Sequence, residues 1–201
     1  MTDPATRWLE PVTLAGTHVR LEPLSAEHHD GLVAAARDGE LWTLWYTSVP
    51  DPAGMSAEIA RRLALLGSGT MLPFTVFDAR TGEIAGMTTY MNVDAVHRRL
   101  EIGSTWYRKS VQRTPLNTEC KLLLLAHAFE TLGCIAVEFR TSAFNRQSRR
   151  AIERLGAKLD GVLRSHMTHA DGTLRDTYVY SIIAAEWPAV RANLGYRLDR
   201  S

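Results

Sequence analysis

Hydrophobic and polar positions change their period several times along the chain, and each change predicts a new strand or helix. Residues 18–24 alternate apolar and polar side chains, which is the period of a half-buried strand. The following segment places Leu32, Ala35 and Ala36 at helical spacing. Ser25 precedes that segment and is the expected N-cap of a first helix.

A second helix and three strands are predicted next. Ser56 is the expected N-cap of this helix. Its apolar residues recur at spacings of three and four: Ile59, Leu63 and Leu66. Residues 71–78 and 82–93 are strand-like runs joined by a short turn, which predicts a hairpin. Residues 98–107 continue the meander as a further strand.

The longest apolar run predicts a helix that is buried on most of its sides. Residues 120–132 are apolar around most of the helical circumference, and Gly133 is a suitable end. A short strand is predicted over residues 135–141, a capped helix over 145–156, and a closing hairpin over 158–183.

The order of these elements predicts an α+β domain of three layers. A mostly antiparallel central sheet of about seven strands is flanked by helices. One strand–helix–strand crossover over residues 100–141 makes two neighbouring strands parallel. We expect a single domain over residues 1–201, with an N-terminal tail over 1–16 and a C-terminal helix and tail over 184–201.

Composition and charge fit an ordinary globular domain and exclude several classes. The 201 residues are 45% hydrophobic, and 23 Lys plus Arg balance 22 Asp plus Glu, so nonspecific binding to nucleic acid or a membrane is not expected. No signal-peptide pattern opens the sequence, so we expect a cytoplasmic protein. Cys120 and Cys134 have no metal-ligand spacing and are expected to be buried free thiols. A P-loop motif does not occur, and no metal site is predicted.

The segment VQRTPLNTE, residues 111–119, lies where glycine-rich loops commonly bind anions. It joins a strand-like run to the long apolar helix, yet it contains no glycine. The amides at the start of a helix and its dipole favour an anion in such a position. The residue types therefore leave open whether this junction still binds a phosphate-bearing ligand.

Several segments together resemble the GNAT superfamily of acyl-CoA-dependent N-acyltransferases. They are LEIGSTWY (100–107), the following loop and helix, VEFRTSAFNRQSRRAIERLGAKLDGVL (137–163) and DTYVYSI (176–182). The likeness runs from about residue 17 to residue 183, and it is greatest to the branch of ribosomal-protein N-terminal acetyltransferases. The resemblance implies a GNAT-like fold with splayed fourth and fifth strands, and acetyl-CoA or another acyl-CoA as the donor.

In that family, a Q/R-x-x-G-x-G/A motif after the fourth strand binds the diphosphate of coenzyme A through its amides. Here Gln112 stands at the first position, and Pro115 and Asn117 stand at the glycine positions. Pro115 has no N–H, and a hydrogen bond to a charged group contributes about 1.5–3 kcal/mol. Arg113 could supply a cation instead, and Asn117 could adopt left-handed angles or cap the helix. The resemblance implies that these residues of the loop bind the cofactor: Gln112, Arg113, Thr114, Leu116, Asn117 and Thr118. The alternative is a capped helix start that no longer binds an anion.

The resemblance also implies that the cofactor lies along the fourth strand. Four residues are predicted to line it: Ser104, Thr105, Trp106 and Tyr107. Gly103 suits a bulge. Glu101 is the candidate general base for the acceptor amine, and its alternative is a surface carboxylate paired with Arg99 or Arg140. Three histidines are alternative bases: His97, His166 and His169.

The helix over residues 145–156 carries two further candidates. Asn145 matches a family asparagine that contacts the pantetheine arm or nearby backbone, although a simple N-cap would use the same residue. Ile152 stands where many members have a tyrosine that acts as general acid. Ser148 lies on the same helix side and could relay a proton to the thiolate through water, or it could be a plain surface serine.

The acceptor is expected over the segment that joins the first two helices. Trp42, Trp45 and Tyr46 could wall its pocket, or pack in the core. Glu40 and Asp51 nearby could attract a cationic amine.

Two functions remain open. The first is an N-acyltransferase that moves an acetyl or other short acyl group directly, without a covalent enzyme intermediate, to a small amine or a protein N-terminus. Arg113 leaves room for succinyl-CoA as the donor. The second is a non-catalytic acyl-CoA-binding or regulatory domain. A homodimer is also open.

Overall fold

The computed structural model describes residues 8–169 and 171–200, which fold around one central sheet. The strands are β1 (Leu14–Ala15), β2 (Val19–Pro23), β3 (Leu72–Asp78), β4 (Ile84–Asp94), β5 (Arg99–Tyr107), β6 (Ala136–Ser142), β7 (Lys158–Thr168) and β8 (Leu174–Ile183). The helices are α1 (His29–Arg37), α2 (Met55–Gly67), α3 (Pro115–Ala126), α4 (Arg146–Leu155) and α5 (Trp187–Leu198). Short 3₁₀ turns cover Ala26–His28, Leu41–Thr43 and Lys109–Val111, and a π-helical turn, His127–Thr131, extends α3.

The sheet is mixed and open. Its strand order is β1-β2-β3-β4-β5-β6-β8-β7, and among the strands described only β5 and β6 run parallel. The crossover through α3 joins these two strands, as the sequence predicts. The α+β prediction is confirmed, with eight strands instead of about seven. The additional strand is β1, whose two residues are too few to show a period.

Helices cover the sheet on both faces. α1 contacts β4 and α2 contacts β3, and their core includes Met87 and Trp106, which face each other across β4 and β5. α3 and α5 pack together over the other face, in a larger core that includes Tyr90, Leu124 and Phe139. α4 contacts β6 and α5.

The N-terminal segment is fixed to α3 from its first described residue. Trp8 Nε1 donates a hydrogen bond to the Leu132 carbonyl at 3.2 Å. The buried Glu119 carboxylate accepts the backbone N–H groups of residues 17–19 at 2.8, 2.5 and 2.9 Å. The predicted N-terminal tail is thus packed against the fold from residue 8 onward, and residues 1–7 lie outside the described part.

The predicted caps of the first two helices have different outcomes. Ser25 forms a capping box at the start of the 3₁₀ turn that leads into α1, which confirms its predicted role. The prediction for Ser56 is wrong, because α2 already begins at Met55. Gly54 is the N-cap there, and its N–H donates to Asp51 Oδ1 at 2.6 Å.

The C-terminal segment forms the predicted helix. α5 packs on α3, and Trp187 Nε1 donates to Glu130 Oε1 at 2.8 Å. None of the helices described is long and apolar enough to cross a bilayer.

Candidate active site

β5 and β6 separate after three residue pairs. Residues 99–101 pair with residues 136–138, and beyond them β5 stays bonded to β4 while β6 stays bonded to β8. Residues 102–107 and 139–142 therefore each have one edge without a neighbouring strand. This is the predicted splay, because the fourth and fifth strands of the prediction are β5 and β6. Free backbone groups on such an edge can pair with an extended ligand.

A β-bulge interrupts β5 just beyond the separation. The register to β4 shifts by one residue between the pairs Met87–Trp106 and Thr89–Gly103. Ser104 lies in the extra stretch and has a left-handed φ of 47°. The bulge was predicted at Gly103, whose own role is different: a Cβ there would lie 2.7 Å from Glu101 Oε1. Gly103 thus provides the space that the carboxylate occupies.

Glu101 is a buried carboxylate at the point where the strands separate. Its side chain is 5% exposed, and Asn92 Nδ2 donates to its Oε2 at 2.7 Å. Arg140 Nε lies 3.5 Å from the same oxygen. Burial raises the pKa of Glu101, while Asn92 and Arg140 act in the opposite direction. A carboxylate of raised pKa is a better proton acceptor than an exposed one.

The ion pairs around Glu101 are formed mainly by its neighbour Glu138. Arg99 donates to Glu138 Oε1 at 2.7 Å, and Arg140 donates to Glu138 Oε2 at 2.9 Å. A pocket of about 180 Å³ is lined by these side chains, with Asn92, Asp94 and Leu100. Of the alternative for Glu101, a surface carboxylate paired with Arg99 or Arg140, the ion pair with Arg140 is present, but Glu101 is buried and Arg99 pairs with Glu138.

The three candidate histidines have local partners. His97 Nδ1 lies 2.9 Å from Asp94 Oδ2, and His166 Nδ1 lies 3.2 Å from Thr177 Oγ1. The His169 ring packs 5.2 Å from the Trp45 ring. Glu101 is the candidate base that lies where β5 and β6 part.

The helix start after β5 is built differently from the family motif. Arg113 has a left-handed φ of 64°, and Thr114 is the N-cap of α3, with its Oγ1 accepting the Leu116 N–H at 3.4 Å. Pro115 is the first helical residue, a position where the missing N–H breaks no helical hydrogen bond. Asn117 therefore lies within the first turn, neither left-handed nor as the cap. Its N–H and that of Thr114 have no acceptor among the residues described.

The other predicted residues of this loop divide into exposed and buried positions. Gln112 Nε2 donates to the Tyr107 carbonyl at 3.0 Å, and Gln147 Nε2 on α4 approaches Gln112 Oε1 at 3.5 Å. Arg113 is exposed, whereas the Leu116 side chain is 3% exposed and belongs to the core. Thr118 is half-buried. The exposed cation and the free amides are thus the groups here that suit a diphosphate.

The residues predicted on β5 point in different directions. Ser104 is exposed and Thr105 half-buried. The Trp106 side chain is buried in the α1–α2 core, and the Tyr107 hydroxyl donates to Cys120 Sγ at 3.2 Å in the other core. Trp106 and Tyr107 can therefore contact a ligand in the gap through their backbone atoms and not through their side chains.

On α4, Asn145 is the N-cap. Its Oδ1 accepts the Ser148 N–H at 3.0 Å, while its Nδ2 has no hydrogen-bond acceptor among the residues described. Ser148 is half-buried, and Ile152 is buried at 8% exposure. The N-cap alternative for Asn145 therefore holds, and it leaves the amide nitrogen free for a ligand.

The aromatic residues of the α1–α2 connection lie in two different places. Trp42 packs against the α1–α2 core. Trp45 is 52% exposed, and its ring lies 5.7 Å from Tyr46 and 5.2 Å from Phe144 of the β6–α4 connection. Its further contact with His169 ties it to the β7–β8 hairpin. Trp45 and Tyr46 thus lie beside the end of β6.

Residues 18–158 match the sequence model of the family described as "Acetyltransferase (GNAT) domain". The chain belongs to the GNAT acetyltransferase family. The predicted family is therefore confirmed: it is the GNAT N-acetyltransferase family, and acyl-CoA is the donor class of that family.

Similar proteins extend the match over nearly the whole chain. A GCN5-related N-acetyltransferase from Brucella melitensis has a TM-score of 0.84 and 32% identity, with 94% of this chain and 86% of that chain covered. Mycobacterium smegmatis RimJ in complex with CoA-disulfide has a TM-score of 0.78 and 22% identity over 93% and 95%, which shows a common fold. A Bacillus subtilis (strain 168) protein named "Putative ribosomal N-acetyltransferase YdaF" is 31% identical over 106 residues, 53% of this chain. The chain spans 57% of that relative's length.

Asn92 is the site residue that sequence reasoning missed. It holds the Glu101 carboxylate and has a left-handed φ of 48°. Its place beside Glu101 depends on the β4–β5 register, which includes an irregularity between Met91 and Asp94. A periodic pattern carries no signal for such a shift.

Proposed function

We propose that this GNAT protein transfers an acetyl group from acetyl-CoA directly to an amine, with Glu101 as the general base. The observation that carries the proposal is the buried Glu101 carboxylate at the point where β5 and β6 separate. A buried carboxylate beside a gap of unpaired backbone is suited to accept a proton from an amine that enters the gap.

The start of α3 is proposed to hold the diphosphate. The Thr114 and Asn117 N–H groups are free, the helix dipole adds partial positive charge, and the exposed Arg113 adds a full one. Pro115 at the first helical position removes one donor that a glycine would offer. Asn145 Nδ2 on α4 is a further free donor on the other side of the gap.

The unpaired edge of β5 is proposed to hold the pantetheine arm and the acyl carbonyl. Residues 102–107 can exchange backbone hydrogen bonds with an extended chain, and the bulge at Ser104 turns amides out of the regular ladder. Amides fixed in such a position stabilise an oxyanion without reorganising. The donor itself supplies an activated thioester, so a covalent enzyme intermediate is not needed.

The acceptor is proposed to be a protein N-terminus or a smaller amine that enters beside Trp45 and Tyr46. The relative named "Putative ribosomal N-acetyltransferase YdaF" supports a protein N-terminus. The carboxylates Glu40 and Asp51 lie in the same connection and would favour a cationic amine. Glu101, acting directly or through one water, would then neutralise that amine before attack.

Release of coenzyme A thiol from acetyl-CoA tests the proposal across a panel of amines and short peptides with free N-termini. Calorimetric titration of acetyl-CoA and succinyl-CoA is run beside it. We expect acetyl-CoA to bind and at least one acceptor class to release thiol at a rate far above hydrolysis. Binding without release for every acceptor would favour the non-catalytic alternative, and no binding at millimolar ligand would contradict the proposal.

A further inference from the structure

α3 carries a buried lysine that none of the roles above uses. Lys121 is 6% exposed, and its ammonium donates to Thr105 Oγ1 at 2.9 Å and to Thr88 Oγ1 at 3.4 Å. The two hydroxyls lie 2.7 Å from each other. No carboxylate of the described residues lies within ion-pair distance of this ammonium. A buried charge without a charged partner is costly, and perturbed groups of this kind cluster at functional sites.

The ammonium lies over the β4–β5 pair at the β5 bulge, because its two acceptors, Thr88 and Thr105, belong to these strands. Thr105 follows Ser104, the left-handed residue of the bulge, and both belong to the stretch of β5 whose edge toward β6 has no partner strand. α3 runs back along β5 from the loop at Thr114, so Lys121 lies about 9 Å along the helix from its start. A donor whose diphosphate lies at that start would pass Lys121 on its way to Glu101.

One donor of the ammonium is unused. An ammonium has three N–H groups, and the two threonine hydroxyls accept two of them. The charged or titratable groups nearby do not neutralise it. Glu119 is engaged by the amides of residues 17–19, and Cys120 has a raised pKa because it is buried, so it stays a neutral thiol. Tyr107 has a pKa well above its usual range for the same reason.

We propose that the Lys121 ammonium faces the thioester in the gap and is the acid that protonates the departing thiolate. This inference depends on the proposed function. As the amine nitrogen bonds to the acyl carbon and the carbon–sulfur bond breaks, the lysine N–H bond breaks and an S–H bond forms. Glu101 passes the first proton of the cationic amine to water before attack and takes the second amine proton as the carbon–nitrogen bond forms. Exchange with water then returns both side chains to their starting states. The family tyrosine position is Ile152 here, so the side chain at that position cannot be the acid.

The proton affinity of Lys121 suits this role. Burial lowers the pKa of Lys121, and Cys120 opposes that effect only in part. A lowered pKa makes the ammonium a stronger acid than that of an exposed lysine, which favours proton transfer to a thiolate.

The test that does not depend on an acceptor is the titration of bound coenzyme A. Thiolate absorbance of CoA is followed against pH, free, bound to the wild-type protein and bound to Lys121→Met. A cation that close lowers the thiol pKa by about 1 to 3 in the wild-type complex. We expect this lowering in the wild type and its loss in Lys121→Met. An equal thiol pKa in both complexes would overturn the inference. A wild-type complex whose thiol pKa equals that of free CoA would overturn it as well, and this comparison does not depend on how well the variant folds.

Stability and rate separate catalysis from a structural role. Lys121→Met removes a buried charge, so we expect unchanged or higher thermal stability, with kcat lower by about 10²-fold or more. The stability difference should shrink as pH rises, because a lowered lysine pKa makes the folded state favour the neutral amine. The alkaline fall of kcat should also disappear. Lys158→Met, which removes an exposed lysine paired with Glu186, is the control and should keep kcat.

The outcomes distinguish the two proposals. No CoA binding to the wild type contradicts the proposed function. Binding and turnover with no change in kcat for Lys121→Met contradict only the role of Lys121. A folded Lys121→Met that loses stability and keeps the CoA thiol pKa of the wild type would show a purely structural lysine.

Discussion

Replacing Glu101 by glutamine removes the proposed base and little else. Glutamine has nearly the same shape, its carbonyl oxygen can keep the 2.7 Å hydrogen bond from Asn92, and Gly103 still leaves the space for it. The variant loses only the negative charge and the ability to accept a proton. A general base contributes about 10² to 10⁴ in rate, which corresponds to about 2.7–5.4 kcal/mol in the barrier.

The pH dependence gives the sign of the effect. Burial raises the pKa of Glu101, so wild-type kcat should fall on acidification at a pH above the ordinary glutamate range. The acidic limb should be missing in Glu101→Gln. For stability, a raised carboxyl pKa means that the folded state binds its proton more tightly, so ionisation destabilises it as pH rises. Glu101→Gln should therefore be more stable than wild type at neutral pH, and the difference should vanish below about pH 4.3.

The assay is steady-state thiol release with saturating acetyl-CoA over a range of pH. Glu138→Gln is the matched control, since Glu138 lines the same pocket but is paired with Arg99 and Arg140. Its effect on kcat should stay below about fivefold, the most that a partly exposed ion pair commonly contributes. A Glu101→Gln enzyme with wild-type kcat and an unchanged acidic limb would show that Glu101 is not the base.

Three further changes test other parts of the structure. Arg113 has a left-handed φ, a conformation that costs a residue with a side chain roughly 1–2 kcal/mol, so Arg113→Gly should raise thermal stability. The same variant should bind acetyl-CoA more weakly in calorimetry, whereas Arg113→Lys should keep the binding. Glu119→Gln weakens the charge-assisted bonds to residues 17–19, and chemical denaturation should show a loss of about 1.5–3 kcal/mol; no loss would contradict its anchoring role. Gly103→Ala puts a Cβ 2.7 Å from Glu101 Oε1, so kcat should fall while the calorimetric affinity for acetyl-CoA stays unchanged; equal loss of both would point to a collapsed gap.

Local pattern was sufficient for most of the fold. The alternating strand β2, the apolar helix α3 and the β3–β4 hairpin each leave a signal within a few residues. The two-residue β1 does not, because it depends on pairing with β2 instead of on its own period. The exact start of α2 was also missed, since Asp51 fixes it from outside the helix.

Some residues of the candidate site could likewise be predicted from the sequence, and others could not. Glu101 could be selected because the strand and the family resemblance place it, and Thr114 before Pro115 is an N-cap signal that could have replaced Asn117 in that role. Asn92 and Lys121 could not be selected. Asn92 reaches Glu101 across an irregular β4–β5 register, and Lys121 reaches Thr105 from a different layer. Both contacts exist only once the sheet and helices are assembled.

A crystal structure of the protein with acetyl-CoA would locate the donor. We expect a diphosphate within hydrogen-bond distance of the Thr114 and Asn117 N–H groups, and a thioester in the gap between β5 and β6, beside Glu101. An acetyl-CoA molecule bound outside that gap, or a diphosphate away from the start of α3, would contradict this expectation.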